Sequence, residues 1–376
     1  MHHRWRCYNL GTMKIGEPFD ERLPWIRRLH DLDEARRVGA PAPRIEALRA
    51  AGRALGDELR GGARVRAVKT LPVSPLIYPT RFAFNGVVPL PWPYVVMMHR
   101  CLLVQLETDD GVKNVLFNPT DPDASQRGTP FFQNLTQSTP GLGPIAENVI
   151  KRGNRPLEEQ LQEVGLSSAD IDVLAFDHFH TQDLRPLLGT GNGHGARFPN
   201  ALLLAPKDEW DQWDDLHPMQ RAWFVAEGRD GVPTERVVLT DHDLLLGAGA
   251  MLLRTKGHTV GNQTIFVHGD TGVFGCCENG CSADSWSPRA SSIPGLKSFA
   301  ESYDVEVVLN SNTPEFGGEQ YESMVLERSV VDAVPDRPEM VQMFPSSEVT
   351  PSAIAPALRP RQVFGARDVG QIVRRA

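Results

Sequence analysis

The chain of 376 residues has little cysteine, no long hydrophobic run and no excess of positive charge. Its five cysteines are too few and too unevenly spaced for a secreted disulfide framework, so we expect reduced thiols. No segment approaches the ~20 apolar residues of a membrane helix, and the N-terminus lacks the apolar block of a signal peptide. These absences argue against a membrane protein and predict a cytoplasmic one.

Positive charge is scarce relative to negative charge. Lys and Arg number 39 against 47 Asp and Glu, a formal net charge of −8, and no basic stripe is visible. A nucleic acid is therefore not an expected partner, and a small-molecule substrate is. Repeats of fixed period and glycine-rich nucleotide-binding signatures are also missing.

Hydrophobic residues make up 41% of the chain, enough to form a large core. Residues 1–62 are polar with helical periodicity, as in the spacing of Leu48, Ala51, Leu55 and Leu59, and predict a helical N-terminal extension. We expect residues 63–325 to form the main domain. Residues 326–376 are rich in proline and predict an irregular C-terminal extension.

Short β-type runs and helical segments alternate through the main domain. The runs around the turn at residues 109–111 predict a hairpin, and "IDVLAFDHFH", "AMLLRTKGH", "QTIFVHGDTGVFGC" and "VEVVLN" predict strands separated by helices. This alternation predicts an α/β layered domain with sheet inside and helices outside.

Polar side chains that bind metals follow several of these strands. His178 and His180 close one apolar run, and on an extended strand their side chains would point the same way. Taken alone, we would interpret such a pair as two exposed histidines beside a strand. His258 in "KGHTVGN" and Glu278 in "GCCENG" follow two further strands, so one edge of the sheets would collect all four.

The segments "DHFH" and "KGHTVGN", with their order and flanking strands, resemble the metallo-β-lactamase fold superfamily over about residues 64–320. The resemblance implies a four-layer αββα sandwich with a metal site at the edge between two sheets. It also implies that His178, His180 and His258 are ligands and that Glu278 replaces the bridging carboxylate, which is usually Asp.

Other ligand positions of that superfamily are changed here. Gln182 and Asp183 occupy the positions where Asp-His is usual. Where a last His ligand is expected, the sequence has Asn310 and Asn312. A carboxamide is a poor ligand for a transition metal, so we expect one ion rather than two. Asp183 or Glu278 would complete the coordination shell of this ion.

Three imidazoles with an open position suit Zn²⁺ and a bound water whose pKa can fall to ~7, while added carboxylates would make Fe or Mn competitive. Glu278 or Asp183 would orient the water and take its proton. Gln182 and Asn312 would donate hydrogen bonds to a developing oxyanion. Arg185 would either receive an anionic group of the substrate or pair with Asp183.

Several residues have a second interpretation. Cys276 is a soft ligand or a small buried strand residue, and we favour burial. His194 lies on a glycine-rich loop after the motif, where it either overhangs the site or belongs to an ordinary loop. We expect the acidic run "DEWDQWDD" to form an amphipathic surface helix, and we interpret the remaining histidine candidates as surface residues: His217, His242 and His268.

Our first hypothesis is a metal-dependent hydrolase that acts on an ester, thioester, lactone, amide or phosphoester of a small molecule. The second is a noncatalytic binding or regulatory module with a degenerate metal site. A retained iron site with redox chemistry is a third. The sequence predicts neither the substrate nor the oligomeric state.

Overall fold

A computed structural model describes residues 12–89, 91–138, 153–191, 193 and 195–374. In these ranges the strands are β1 (Ile15–Asp20), β2 (Leu23–Leu29), β3 (Ala67–Pro79), β4 (Tyr94–Thr108), β5 (Gly111–Phe117), β6 (Val173–Ala175), β7 (Leu202–Pro206), β8 (Val237–Thr240), β9 (Asp243–Gly247), β10 (Ala250–Arg254), β11 (Gln263–Gly269), β12 (Gly272–Cys277), β13 (Ala333–Val334), β14 (Arg337–Val341), β15 (Met343–Pro345), β16 (Ser347–Thr350) and β17 (Val369–Gly370).

The described α-helices are α1 (Asp33–Arg36), α2 (Pro41–Gly61), α3 (Thr80–Ala83), α4 (Pro122–Gly128), α5 (Pro130–Ser138), α6 (Leu157–Glu163), α7 (Arg185–Leu188), α8 (Lys207–Asp211), α9 (Ala283–Trp286), α10 (Leu296–Ser302) and α11 (Gly317–Val330). Short 3-10 helices cover Ser168–Asp170, Trp213–Asp215, Thr234–Arg236, Pro288–Ala290 and Pro314–Phe316. None of the described helices combines the length and apolar character needed to cross a bilayer.

Two large sheets form the centre of the molecule. One has the strand order β1-β2-β9-β10-β11-β12-β15, and the other has the order β17-β3-β4-β5-β6-β7-β8, with β16 also paired to β4. The predicted hairpin is confirmed, because β4 and β5 pair antiparallel from Leu102↔Phe117 to Thr108↔Gly111. From β5 onward the second sheet is parallel, as expected where helices connect successive strands.

Alternating side chains along the strands build three buried layers. Val104 and Leu252 belong to the core between the two sheets, whereas their neighbours Leu103 and Met251 belong to the outer cores. Because successive side chains on a strand point to opposite faces, each sheet is apolar on both sides. Helices α2 and α11 cover one sheet, and α6 and α7 contribute to the core on the other. The predicted αββα class is therefore confirmed.

Both ends of the chain differ from the predicted extensions. The helix predicted near Leu48–Leu59 is present as α2, but residues 15–29 form two strands that extend a sheet through β2–β9 pairing. In the C-terminal part, β15 pairs with β12, β16 with β4 and β17 with β3. These strands run from two to seven residues, too short for periodicity to show. Apart from the β1–β2 pair, their partners come from distant parts of the chain.

One predicted strand is absent from the described ladders. Residues 305–310, "VEVVLN", are not assigned to a strand, although Val307 and Val308 are buried. The Val308 N–H donates to the Ser285 carbonyl, 2.8 Å away, instead of joining a ladder. The apolar residues of this segment therefore reflect its burial, and not its pairing with another strand.

Candidate metal centre

Turns from both sheets meet at one edge of the sandwich. Strand β6 ends at Ala175, and His178 and His180 lie in the turn that follows it. His258 lies between β10 and β11, and Glu278 follows the last residue of β12. The site therefore lies where the carboxyl end of a parallel strand in one sheet meets the loops of the other.

The three histidines predicted as ligands are brought together. Their ring centroids lie 4.8 Å apart for His178 and His180, 4.4 Å for His178 and His258, and 4.8 Å for His180 and His258. One ring nitrogen from each forms a group in which all ligand atoms lie within 4.8 Å of one another, and all three side chains are buried. The strand predicted to run to His180 stops earlier, and the turn after it includes Thr181 at a positive φ of 62°.

The outer nitrogen of each imidazole faces an oxygen acceptor. His178 Nδ1 lies 2.7 Å from Asp177 Oδ1, His180 Nε2 lies 2.5 Å from Gln220 Oε1, and His258 Nδ1 lies 2.9 Å from Asn310 Oδ1. An oxygen acceptor requires a proton on the nitrogen that faces it. The inner nitrogens are then His178 Nε2, His180 Nδ1 and His258 Nε2, and in neutral rings they carry lone pairs.

Neighbouring groups fix the orientation of both carboxamides. Gln220 Nε2 donates to Glu315 Oε1 at 2.6 Å, so the oxygen of Gln220 is the atom that faces His180. Asn310 Oδ1 accepts from Gln320 Nε2 at 2.8 Å, while Asn310 Nδ2 donates to the Glu278 carbonyl. Such partners behind metal-binding histidines hold the ring and its tautomer in place.

The inner nitrogens of His180 and His258 lie 3.1 Å apart. Burial, together with the neighbouring His178 imidazole, lowers the pKa of His258 to about 3. Burial and the two neighbouring imidazoles hold the pKa of His180 well below its usual range. A shared proton is therefore disfavoured, and two facing lone pairs at this distance fit a common cation with nitrogen ligands at about 2.0–2.1 Å.

Buried carboxylates surround the histidines. Asp177 contacts His178, while Glu209 and Glu278 have no Lys or Arg partner among the described ion pairs. Burial, together with the neighbouring charge of Asp177, raises the pKa of Glu278 to about 8. Burial alone would lower the pKa of His178, but the Asp177 carboxylate raises it. A cation bound beside these carboxyl groups would stabilise their charged forms, so the donor set fits a bound metal ion.

Glu209 was missed by the sequence interpretation, which placed its helix at the surface. It lies in α8, is fully buried, and accepts hydrogen bonds of 2.5 Å from the Phe179 N–H and from the Thr259 hydroxyl. Phe179 separates His178 from His180, and Thr259 follows His258. One carboxylate therefore ties together the two turns that carry the histidines.

The other predicted site residues divide into two groups. Glu278, Gln182 and Asn312 line the same cavity as the histidines, and Glu278 Oε2 accepts from the Ser347 N–H at 2.9 Å. Asp183 is not among the described cavity-lining residues. Its carboxylate accepts from Arg185 Nε at 2.9 Å and Nη2 at 2.8 Å, which is the structural pair considered above.

The cysteines and remaining histidines lie outside the group of ligands. Cys276 is buried between the sheets, 3.6 Å from Ser346 Oγ, and burial raises the pKa of its thiol. His217 is exposed as expected, whereas His268 is buried on β11, and His194 lies outside the described residues. His99 of β4, not singled out from the sequence, also lines the cavity.

No protein-family model matches this chain, and no curated protein matches its sequence. Solved structures do match. A probable metal-dependent hydrolase from Staphylococcus aureus is 13% identical, with a TM-score of 0.45 over 62% of this chain and 79% of that chain.

Two further matches have similar scores. An N-acyl homoserine lactone hydrolase with N-hexanoyl-L-homoserine bound at its catalytic metal centre is 15% identical, with a TM-score of 0.45 over 70% of this chain and 86% of that chain. The hydrolase AbOPH of the β-lactamase superfamily is 12% identical, with a TM-score of 0.45 over 82% of this chain and 96% of that chain.

Proposed function

We propose that the protein is a metal-dependent hydrolase of the metallo-β-lactamase superfamily that acts on a small molecule. The observation that carries the proposal is the convergence of three buried imidazoles whose outer nitrogens all face oxygen acceptors. The proposed ligands are His178 Nε2, His180 Nδ1 and His258 Nε2. One zinc ion in such a site would supply a Lewis acid and an activated water.

Side chains around the histidines have distinct proposed roles. Glu278 lines the cavity and is the proposed acceptor of a proton from the attacking water. Asp183 is a less suitable proton acceptor or metal ligand, because Arg185 already donates hydrogen bonds to both of its carboxylate oxygens. Gln182 and Asn312 are proposed to hydrogen-bond the substrate, since both carboxamides line the cavity.

The experiment is a comparison of wild-type protein with His180→Ala. We expect about one zinc ion per wild-type chain, chelator-sensitive hydrolysis of 4-nitrophenyl acetate, and loss of both in the variant with unchanged circular dichroism. His242→Ala is the matched control, because His242 lies outside the group of ligands. Unchanged zinc content in His180→Ala would contradict the proposed site. Zinc binding without any hydrolysis would favour the noncatalytic binding module.

A further inference from the structure

A carboxylate lies behind the imidazole of His180, one side chain further out. His180 Nε2 lies 2.5 Å from Gln220 Oε1, and Gln220 Nε2 donates to Glu315 Oε1 at 2.6 Å. Gln220 is fully buried, and in the described part of the chain its side chain has no other hydrogen-bond partner. The orientation of this carboxamide is therefore set between His180 on one side and Glu315 on the other.

A neutral His180 has two tautomers, and both would satisfy its nearest neighbours. With the proton on Nε2, the ring donates to Gln220 Oε1 and its Nδ1 keeps a lone pair toward the metal centre. With the proton on Nδ1, the ring would donate to His258 Nε2, 3.1 Å away, and its Nε2 would accept from a Gln220 amide that has turned around. The second tautomer closes the site with an internal hydrogen bond and leaves His180 no lone pair toward the metal centre.

Glu315 is the group that distinguishes the two tautomers. An ionised carboxylate only accepts hydrogen bonds, so it requires the amide end of Gln220. The turned carboxamide would instead place its oxygen against that carboxylate, with no proton between the two oxygens. Hydrogen bonds to charged groups contribute more than those between neutral groups, so the loss at Glu315 outweighs the hydrogen bond gained between the two imidazoles.

Glu315 itself is not placed for an ion pair. It has no Lys or Arg partner within the described ranges of the chain, and its second oxygen, Oε2, is buried without a hydrogen-bond donor. A buried acceptor without a donor costs stability, so this carboxylate is unfavourable for the fold. Two residues earlier, the Thr313 hydroxyl donates to the His258 carbonyl at 2.5 Å, so the same segment contacts the turn of a second proposed ligand.

We infer that Glu315 is a positioning residue that keeps the proton of His180 on Nε2, acting through Gln220. Its carboxylate holds the carboxamide in the one orientation that leaves His180 Nδ1 free for a metal ion. This inference rests on the proposed function, since it concerns how the proposed metal site is kept open. Without the carboxylate, the empty site should close on a hydrogen bond between His180 and His258, which a metal ion must then break.

The first measurement is the tautomer of His180 in the zinc-free protein, observed at its ring nitrogens by nitrogen-15 NMR with labelled histidine. The signals are assigned by their absence in His180→Ala, and we expect the proton on Nε2 in the wild type. In Glu315→Lys the new side chain can only donate, so Gln220 should turn its oxygen toward it and the His180 proton should move to Nδ1. A proton on Nδ1 in the wild type, or on Nε2 in both proteins, would overturn the inference.

The affinity for Zn²⁺ is the second readout, and competition with a chromogenic chelator measures it. We expect Glu315→Lys to bind zinc at least about 10-fold more weakly than the wild type, in the range usual for groups behind metal ligands. Glu319→Lys makes the same charge change at an exposed position of α11 and should change the affinity by less than about 3-fold, since solvent screens an exposed charge. Equal losses in the two variants would overturn the inference, because net charge alone would then explain them.

Exchanging the two side chains tests the order of donor and acceptor. Glu315→Gln allows either orientation of both carboxamides, so both tautomers of His180 should be populated and zinc affinity should fall. Adding Gln220→Glu to this variant places an acceptor-only carboxylate beside His180 Nε2, and the double variant should bind zinc about 10-fold more tightly than Glu315→Gln. An affinity of the double variant no higher than that of Glu315→Gln would overturn the inference. This comparison decides the matter even if Glu315→Lys does not fold.

These outcomes are distinct from a failure of the proposed function. A wild-type tautomer and wild-type zinc affinity in Glu315→Lys, with zinc lost in His180→Ala, would overturn the role of Glu315 and leave the metal site in place. Zinc that stays bound in His180→Ala would remove the proposed site, whereas the tautomers in the zinc-free proteins would still test the effect of Glu315 on His180.

Discussion

Two buried polar clusters lie close together in this molecule and differ in how completely their hydrogen bonds are satisfied. The Glu327 cluster consists of Glu327 in α11 and four donors around its carboxylate: Asn279 Nδ2 at 2.6 Å, Trp286 Nε1 at 2.7 Å, Thr264 Oγ1 at 2.9 Å and Cys277 Sγ at 3.4 Å. The metal centre instead has facing imidazole nitrogens and unpaired carboxamide oxygens.

The difference separates a structural role from a functional one. A buried network in which each group has its partner holds elements together, and here it connects α11 to β11, β12 and α9. A buried network with unpaired atoms costs stability unless a ligand supplies the missing partners. Substitutions in the two clusters test this difference between a structural and a functional role, from the largest expected effect to the smallest.

Removing the acceptor of the Glu327 cluster should destabilise the fold strongly. Glu327→Leu leaves several buried donors without a partner, each at a cost of about 1–3 kcal/mol, so we expect a loss of at least about 3 kcal/mol in the free energy of unfolding. Urea denaturation of the zinc-free protein measures it. A loss below about 1 kcal/mol would show that the cluster does not act as a structural unit.

The pH dependence of stability should report the same carboxyl group. Burial raises the pKa of Glu327 to about 7, although its four donors favour the charged form. The folded state then keeps a proton that the unfolded chain has released, so stability falls as the pH rises from about 4.5 through about 7. The integrated loss is about 3 kcal/mol.

Glu327→Gln isolates the contribution of Glu327 to this pH dependence, because a carboxamide does not titrate between pH 4.5 and pH 8. The unfolding free energy of wild type minus that of the variant should fall by about 3 kcal/mol between pH 4.5 and pH 8. A difference that stays constant across this range would contradict the raised pKa.

Glu209 should affect metal binding through the two turns that it joins. We expect Glu209→Ala to weaken zinc binding about 10–100-fold, the usual range for partners behind metal ligands. Glu209→Gln should restore most of the affinity, because its oxygen accepts from Phe179 and its amide donates to the Thr259 hydroxyl. Competition with a chromogenic chelator gives the affinities.

Asp208→Ala is the control for Glu209, since Asp208 is exposed on the same helix. A purely structural role for Glu209 would lower the unfolding free energy of the zinc-free protein without changing zinc affinity.

The smallest expected effect compares two buried glutamines. Gln182 Oε1 has no hydrogen-bond partner in the structure, so Gln182→Leu should leave the unfolding free energy unchanged or raise it by up to about 1 kcal/mol. In the same variant, kcat/KM for 4-nitrophenyl acetate should fall, because Gln182 is proposed to hydrogen-bond the substrate. Gln160 donates to the carbonyls of Pro72 at 2.8 Å and Arg155 at 3.2 Å, so Gln160→Leu should cost about 1–3 kcal/mol. Equal losses of unfolding free energy in Gln182→Leu and Gln160→Leu would contradict the proposed difference between the two glutamines.

Much of the fold could be predicted because its signals are local. The alternation of β-type runs and helices predicts the layered domain, and the Asp-Gly turn predicts the hairpin of β4 and β5. The strands of the C-terminal part could not be predicted, since β16 and β17 are only four and two residues long and their partners lie in distant strands.

The same distinction holds at the metal centre. His178, His180 and His258 were identified from short motifs, and the structure brings them together. Glu209 and Gln220 were not identified, because their roles depend on contacts with residues 30 to 50 positions away. An acidic residue in an amphipathic helix gives no sign in the sequence that it faces the core.

The most direct measurement is a crystal structure of the zinc-loaded protein with anomalous data at the zinc absorption edge. We predict one zinc ion bound by His178 Nε2, His180 Nδ1 and His258 Nε2 at about 2.0–2.1 Å, with Gln220 and Asn310 still holding the outer nitrogens. An anomalous peak elsewhere, with no ion between these three imidazoles, would contradict the central claim.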